Sequence, residues 1–214
     1  MKKTVYLMGL SALLLGGCSE QEDSTMAVAA ADQQNEIPGY YEDYVLSPQV
    51  TDDRMLQDAG QNKRDAKGEA TVKAVNMDSE TVEVGPVDLT LAESKILQLE
   101  PDYSLIDFFH SYTHDQKFEV VKMFVEITNT SDEPVHFGPV ALLETAKGET
   151  KLWEDDIYLE ELNGELAAGE TKRGNIGFIV EDGSFDSVTI TTSDVFDSQD
   201  NKITEALEFS TRFE

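Results

Sequence analysis

Two histidines four residues apart, His110 and His114 in the segment HSYTH, are the residues of this chain best spaced to bind a metal or move a proton. On a helix they would share a face, with Asp107 one turn earlier. Imidazole and carboxylate together suit a divalent transition metal, so Asp107, His110 and His114 form the candidate metal set. The HExxH glutamate of a zinc protease is absent, and histidines among aromatic residues also serve as packing or solvated groups. His136 has no spacing that ties it to the pair. Glu154-Asp155-Asp156, and Glu181-Asp182-Gly183 with Asp186, could offer carboxylates to calcium from loops. They lack the alternating order of an EF-hand, and such runs arise readily among 43 acidic residues. No Gly-x-Ser-x-Gly elbow and no phosphate-binding glycine loop occurs. The expectation is a protein that is not an enzyme, with no catalytic residue and no cofactor.

Cys18 is the one cysteine, which excludes a disulfide or a two-cysteine redox site within the chain. Before it come the basic Met1-Lys2-Lys3 and the apolar run Val5 to Leu15, too short for a permanent membrane helix and of the length of a secretory signal. The segment closes on Leu15-Gly16-Gly17-Cys18, an aliphatic residue, two small ones and a cysteine, which resembles a bacterial lipobox. Residues 1–17 are therefore read as a lipoprotein signal peptide and Cys18 as the lipidated position. The mature chain would sit lipid-anchored on the extracytoplasmic face of the cell membrane.

Residues 18–36 are polar, small and acidic, without an apolar period, and read as a flexible acidic tether. No basic residue falls between Lys3 and Arg54, so anionic headgroups would repel the tether and extend it. Residues 37–67 read as a partly ordered pre-domain arm. Tyr40, Tyr41 and Tyr44 would dock it on its own domain, with an exposed patch for a partner as the other reading. Thr51-Asp52-Asp53 predicts a short helix through about Ala59. The formal charge is −27, and loss of Lys2 and Lys3 with the signal makes it −29. That excess disfavours nucleic acid and favours a cationic partner or a salty surrounding that screens self-repulsion.

From Gly68 the pattern is β. Lys117 to Phe137 (KFEVVKMFVEITNTSDEPVHF) is the clearest stretch: Val121, Met123, Val125 and Ile127 alternate with Lys122, Glu126 and Thr128, and Phe118, Val120 and Phe124 suggest that the other face is covered too. Asn129 to Pro134 would turn this strand into a hairpin-like unit with Val135 onward. Glu69 to Met77 and Thr81 to Leu99, bent at Gly85-Pro86, precede it. Pro101 to Gln116, rich in aromatics, predicts a short helix or ordered loop capping one end. Asn163-Gly164 predicts a two-residue hairpin. About eight strands across residues 68–214 make one domain.

Val121 to Val135 (VKMFVEITNTSDEPV), followed by Leu166-Ala-Ala-Gly169-Glu170 and the run to Val180, resembles the paired signature of secreted bacterial lipoproteins of unknown function with a telokin-like, immunoglobulin-like domain. The resemblance spans roughly Pro86 to Phe213. Ala168 stands where that family commonly has proline, and the aromatic insert near Phe108 has no counterpart in it. The resemblance implies a binding or structural module outside the membrane and transfers no catalytic residue.

These readings converge on an all-β, immunoglobulin-like β-sandwich preceded by a signal peptide and a flexible acidic tether. Its expected role is non-catalytic binding at the cell envelope, to a protein or cationic partner. The membrane is reached through lipid on Cys18, no nucleic acid is involved, and acidic edge strands favour a monomer. The alternatives are a divalent-metal-binding lipoprotein, using Asp107, His110 and His114 or the acidic loops, and a structural envelope spacer.

Overall fold

The computed structural model describes residues 35–214. The signal segment, Cys18 and all but the last residues of the tether lie outside the described residues. The strands are β1 (Asn62–Asp65), β2 (Gly68–Asn76), β3 (Glu80–Val84), β4 (Val87–Pro101), β5 (Phe118–Asn129), β6 (Val135–Phe137), β7 (Leu142–Thr145), β8 (Thr150–Leu152), β9 (Gly164–Leu166), β10 (Thr171–Val180), β11 (Ser187–Thr191), β12 (Val195–Asp197), β13 (Lys202–Thr204) and β14 (Glu208–Arg212). One short helix, α1 (Ile106–Phe109), interrupts them.

The strands form an antiparallel sandwich, the expected all-β class. A six-stranded sheet runs β1-β2-β4-β5-β10, with β3 also paired to β4. Two four-stranded sheets, β14-β11-β7-β8 and β13-β12-β6-β9, supply the opposing layer. One apolar core joins the layers: Leu89, Val121, Met123 and Phe178 of the large sheet pack in a cluster with Phe137, Leu143, Leu166 and Ile190 of the smaller ones. The outer face of the large sheet is covered as well. Leu97, Leu99, Phe118 and Val120 lie there beneath Val50 and Leu56 of the arm, Phe109 of α1, and Ile157 and Tyr158 of a loop. Burial on both faces explains why β4 and β5 read as near-continuous apolar runs.

Several local expectations give way to longer-range contacts. β5 and β6 form no hairpin: β5 pairs β4 and β10, while β6 pairs β9 and β12. The Asn129 turn instead carries the chain from one layer to the other. The buried Asn129 amide donates to the carbonyls of Glu133, Leu166 and Ala167, and its Oδ1 accepts from Ser131, which pins the crossover. Asn163-Gly164 is likewise no type I′ turn. Only Gly164 has a positive φ, of 113°, and it opens β9 against β6. No helix forms over 51–59: Asp53 gives its carboxylate to Lys95 and Lys122, and Asp52 accepts from the Arg54 amide while pairing with the Arg54 and Lys63 side chains.

Candidate functional site

The outer face of the large sheet carries charge where an apolar core would be expected, and a backbone irregularity puts it there. Pairing of β4 with β5 shifts register between Leu91 and Glu93. Before this bulge the odd-numbered residues Val87, Leu89 and Leu91 face the inner core. After it, Glu93, Lys95, Leu97 and Leu99 lie opposite Phe124, Lys122, Val120 and Phe118 on the outer face. The extra residue thus turns Glu93 and Lys95 away from the inner core.

The arm closes over them. Tyr41 and Phe124 are buried with Ala92, and the rings of Tyr40, Tyr41 and Tyr44 stand 5.5, 4.3 and 5.4 Å from that of Phe124. Tyr40 and Tyr41 each donate to Glu93 at 2.6 Å. Further along the arm, the Asp53 carboxylate accepts from Lys95 at 3.0 Å and Lys122 at 2.9 Å, and its carbonyl takes a second bond from Lys95. Glu93 Oε1 lies 2.9 Å from Lys95 and 2.6 Å from Lys122. Lys122 also donates to the Tyr41 hydroxyl. Asp53, Glu93, Lys95 and Lys122 are all buried, and the two acids balance the two bases.

The surroundings set the protonation states. Burial pushes the Asp53 and Glu93 carboxyls upward, but Lys122 and Lys95 outweigh it and hold both below the usual carboxylate range. Burial pulls Lys122 down, and Asp53 and Glu93 more than offset it, so its ammonium is held above the ordinary lysine value. Tyr40 and Tyr41 are pushed far up by burial and the neighbouring carboxylates, and remain phenols. Lys122 donates to three oxygens, and Lys95 donates to two with a Glu93 oxygen at 2.9 Å as its ion-pair partner. As built, the cluster fastens the arm to the sheet.

Polar groups on either side extend the fastening. Tyr44 donates to Glu160 and accepts from Asn175 Nδ2, and the Asn175 backbone N–H donates to Glu160 at 2.8 Å. At the rim, Asp52 binds Arg54 at 2.8 Å and Lys63 at 2.9 Å. Gly177 lies opposite Lys122, and a Cβ there would come within 2.6 Å of the Tyr158 ring. A larger residue would displace that ring from over the sheet.

The residues singled out in the sequence lie elsewhere. α1 ends at Phe109 and the chain turns back by Thr113, so His110 and His114 do not share a helical face. Their rings meet edge-on at 5.4 Å. Together with Asp107 they line a cleft of about 690 Å³, bordered by Phe109 and Phe118. Among the described residues no group of three or more His, Cys, Asp or Glu side chains is arranged to hold a metal ion. The acidic loops are engaged in their own turns: Asp156 accepts from the amides of Tyr158, Leu159 and Gly177, and Asp182 from Ser184 and Lys147. His136 lies in β6, 3.9 Å from Glu165.

No family model matches the sequence. The chain is 41% identical, over 226 aligned residues, to the uncharacterized protein YdhF of Bacillus subtilis (strain 168), an alignment covering 94% of this chain and 96% of YdhF. The chain belongs to the YdhF family. Among solved structures, a functionally unknown protein from Listeria monocytogenes EGD-e aligns with 68% of this chain and 87% of its own, at 15% identity and a TM-score of 0.49. A lipoprotein candidate (ycdA) from Bacillus subtilis aligns with 64% of this chain and 39% of its own, at 20% identity and a TM-score of 0.39.

In this YdhF-family chain the sequence pattern marks none of Asp53, Glu93, Lys95 and Lys122 as a site residue: Asp53 reads as a helix start and Lys122 as the polar member of an alternating strand. A signal for them was present. Lys122 sits in a strand whose two faces are both apolar, and Glu93 and Lys95 interrupt a strand otherwise dominated by leucine, isoleucine and valine. A charge at such a position must find a partner or a change of register.

Proposed function

We propose that this YdhF-family protein is a membrane-anchored extracytoplasmic lipoprotein acting as a non-catalytic binding module, with the telokin-like, immunoglobulin-like character that its strand signatures suggest. One observation carries the non-catalytic part: Asp53, Glu93, Lys95, Lys122, Tyr40 and Tyr41 are bound to one another by ion pairs and hydrogen bonds. Such a cluster serves construction. It fixes residues 40–53 to the sheet, so that a tether held at Cys18 would lead into a rigid domain. The lipobox-like Leu15-Gly16-Gly17-Cys18 supports the anchor, and the strand-connecting loops of such domains commonly carry recognition.

The anchor is tested by expressing the full chain in a Gram-positive host fed radiolabelled palmitate, beside Cys18→Ser. Label and membrane retention are expected in the parent and absent from the variant. An unlabelled parent chain, or one recovered in the cytosol, would refute the reading.

A further inference from the structure

Leu152 at the end of β8, and Trp153 and Leu159 in the segment that follows it, stand exposed by 53%, 51% and 56%. Trp153 begins a 3-10 turn through Asp155. The Trp153 backbone N–H donates to the Ala141 carbonyl, and the Asp155 carboxylate accepts from the Leu152 backbone N–H. The turn is tied at both places, and Trp153 stands half exposed on it. Two depressions meet at it. One, of about 540 Å³, is lined by Leu159 and Phe178; the other, of about 260 Å³, is lined by Phe137 and Phe196. Val140 and Trp153 border both.

The backbone beside the indole is strained. Leu159 and Glu161 have φ of 57° and 50°, in the left-handed region that side chains other than glycine, asparagine and aspartate avoid. The Asp156 carboxylate holds the bend by accepting from the Tyr158 and Leu159 amides. A glycine would sit there at ease, yet the chain carries a leucine whose side chain is more than half exposed. Backbone strain of this kind clusters at active sites, ligand clamps and switch regions. The charge around it is predominantly negative, with three carboxylates, Glu154, Asp156 and Glu161, against Lys172. Glu154 and Glu161 line the larger depression, are exposed, and make no ion pair with the described residues. Lys172, on the same rim, donates to the Glu165 carbonyl.

We infer that this surface is a docking site for a cationic amphipathic segment of a partner protein. Apolar side chains would seat on either side of Trp153, with lysine or arginine against Glu154 and Glu161. The inference rests on the reading of the chain as a binding module and adds the place and the partner's chemistry. Aromatic side chains flanked by pockets are common anchors in such interfaces.

Trp153 is the one tryptophan, so its emission reports occupancy directly. The probe is a tryptophan-free peptide of lysine and leucine, with a glutamate and leucine peptide as its counterpart, titrated into the full chain in a zwitterionic detergent. A saturable blue shift is expected with the basic peptide alone. By anisotropy of the labelled peptide, Trp153→Ala and Leu159→Gly should each weaken binding about tenfold or more. Glu154→Gln combined with Glu161→Gln should weaken it and flatten its salt dependence. Leu159→Gly suits the positive φ, and an unchanged circular dichroism spectrum of the variant separates lost binding from lost fold. Equal binding of the acidic peptide, or undiminished binding by Trp153→Ala and Leu159→Gly, overturns the inference. Intact mass of the same preparation keeps the two proposals apart: lipid on Cys18 without peptide binding sinks only the docking surface, and Trp153-dependent binding without lipid sinks only the anchor.

Discussion

Replacing Lys122 by methionine tests the charged cluster most directly, because the substitution keeps bulk and removes one charge. Lys122 lies 2.9 Å from Asp53 and 2.6 Å from Glu93, and is fully buried. Without it, two carboxylates face Lys95 alone. At an effective dielectric near 20, a unit pair at about 4 Å is worth about 4 kcal/mol, and two such attractions disappear together. Part of that loss is returned, since the methionine carries no desolvation penalty and Lys95 loses a like-charged neighbour directly opposite it. Breaking a buried pair from one side then costs about 3–5 kcal/mol, a large share of a total near 5–15 kcal/mol. Adding Glu93→Gln removes one charge of each sign and leaves Asp53 balanced by Lys95. The double variant should therefore be more stable than the sum of the single costs implies, with a coupling of about 2 kcal/mol or more. Urea unfolding of the full chain at neutral pH, followed by Trp153 fluorescence and circular dichroism, measures all three. A Lys122→Met cost below about 1 kcal/mol, or additivity within about 0.5 kcal/mol, would refute the account.

Acid should loosen the fold through the same groups. Asp53 and Glu93 are held below their usual values, so their contribution is complete above about pH 5 and is lost as pH falls through their folded values. Asp156 and Glu160, pushed up mainly by burial, act in the opposite sense, and a urea midpoint that falls toward pH 3 less steeply in the Lys122→Met, Glu93→Gln double variant isolates the cluster. Tyr41→Phe keeps the ring against Phe124 and deletes a hydroxyl shared by Glu93 and Lys122, for a cost of about 1.5 kcal/mol by the same unfolding assay. Gly177→Ala drives a Cβ to 2.6 Å from the buried Tyr158 ring and should cost about 1–3 kcal/mol, read as a lower thermal midpoint.

The sequence made the strands legible where one residue's neighbours decide its environment. Gly68–Asn76, Val87–Pro101, Phe118–Asn129 and Thr171–Val180 all fall where alternation or apolar runs predict them. Pairing partners were not legible, because a turn such as Asn129 to Pro134 looks the same whether the chain returns to its own sheet or crosses to the other layer. The cluster was hidden for a related reason. Its face assignment depends on the bulge between Leu91 and Glu93, and counting by twos straight through β4 puts Glu93 on the wrong side. Asp53 shows the limit of local chemistry. Its place after Thr51 and Asp52 reads as a helix start, yet two lysines on distant strands claim its carboxylate.

The order of these residues along the chain has a consequence for how the protein acquires its structure. Tyr41 meets partners 52 and 81 residues further on, and Asp53 meets partners 42 and 69 residues further on. The first part of the domain to be synthesised is therefore among the last to find its place. Until it does, the ribbon of β4 and β5 holds two ammonium groups side by side with Glu93 alone to balance them. Closing loops of this length is entropically costly and slow. Refolding should thus end on a distinct late phase, arm docking, and a chain stopped before Lys122 leaves the tyrosine-rich arm with Lys95 but without the second lysine that fastens it.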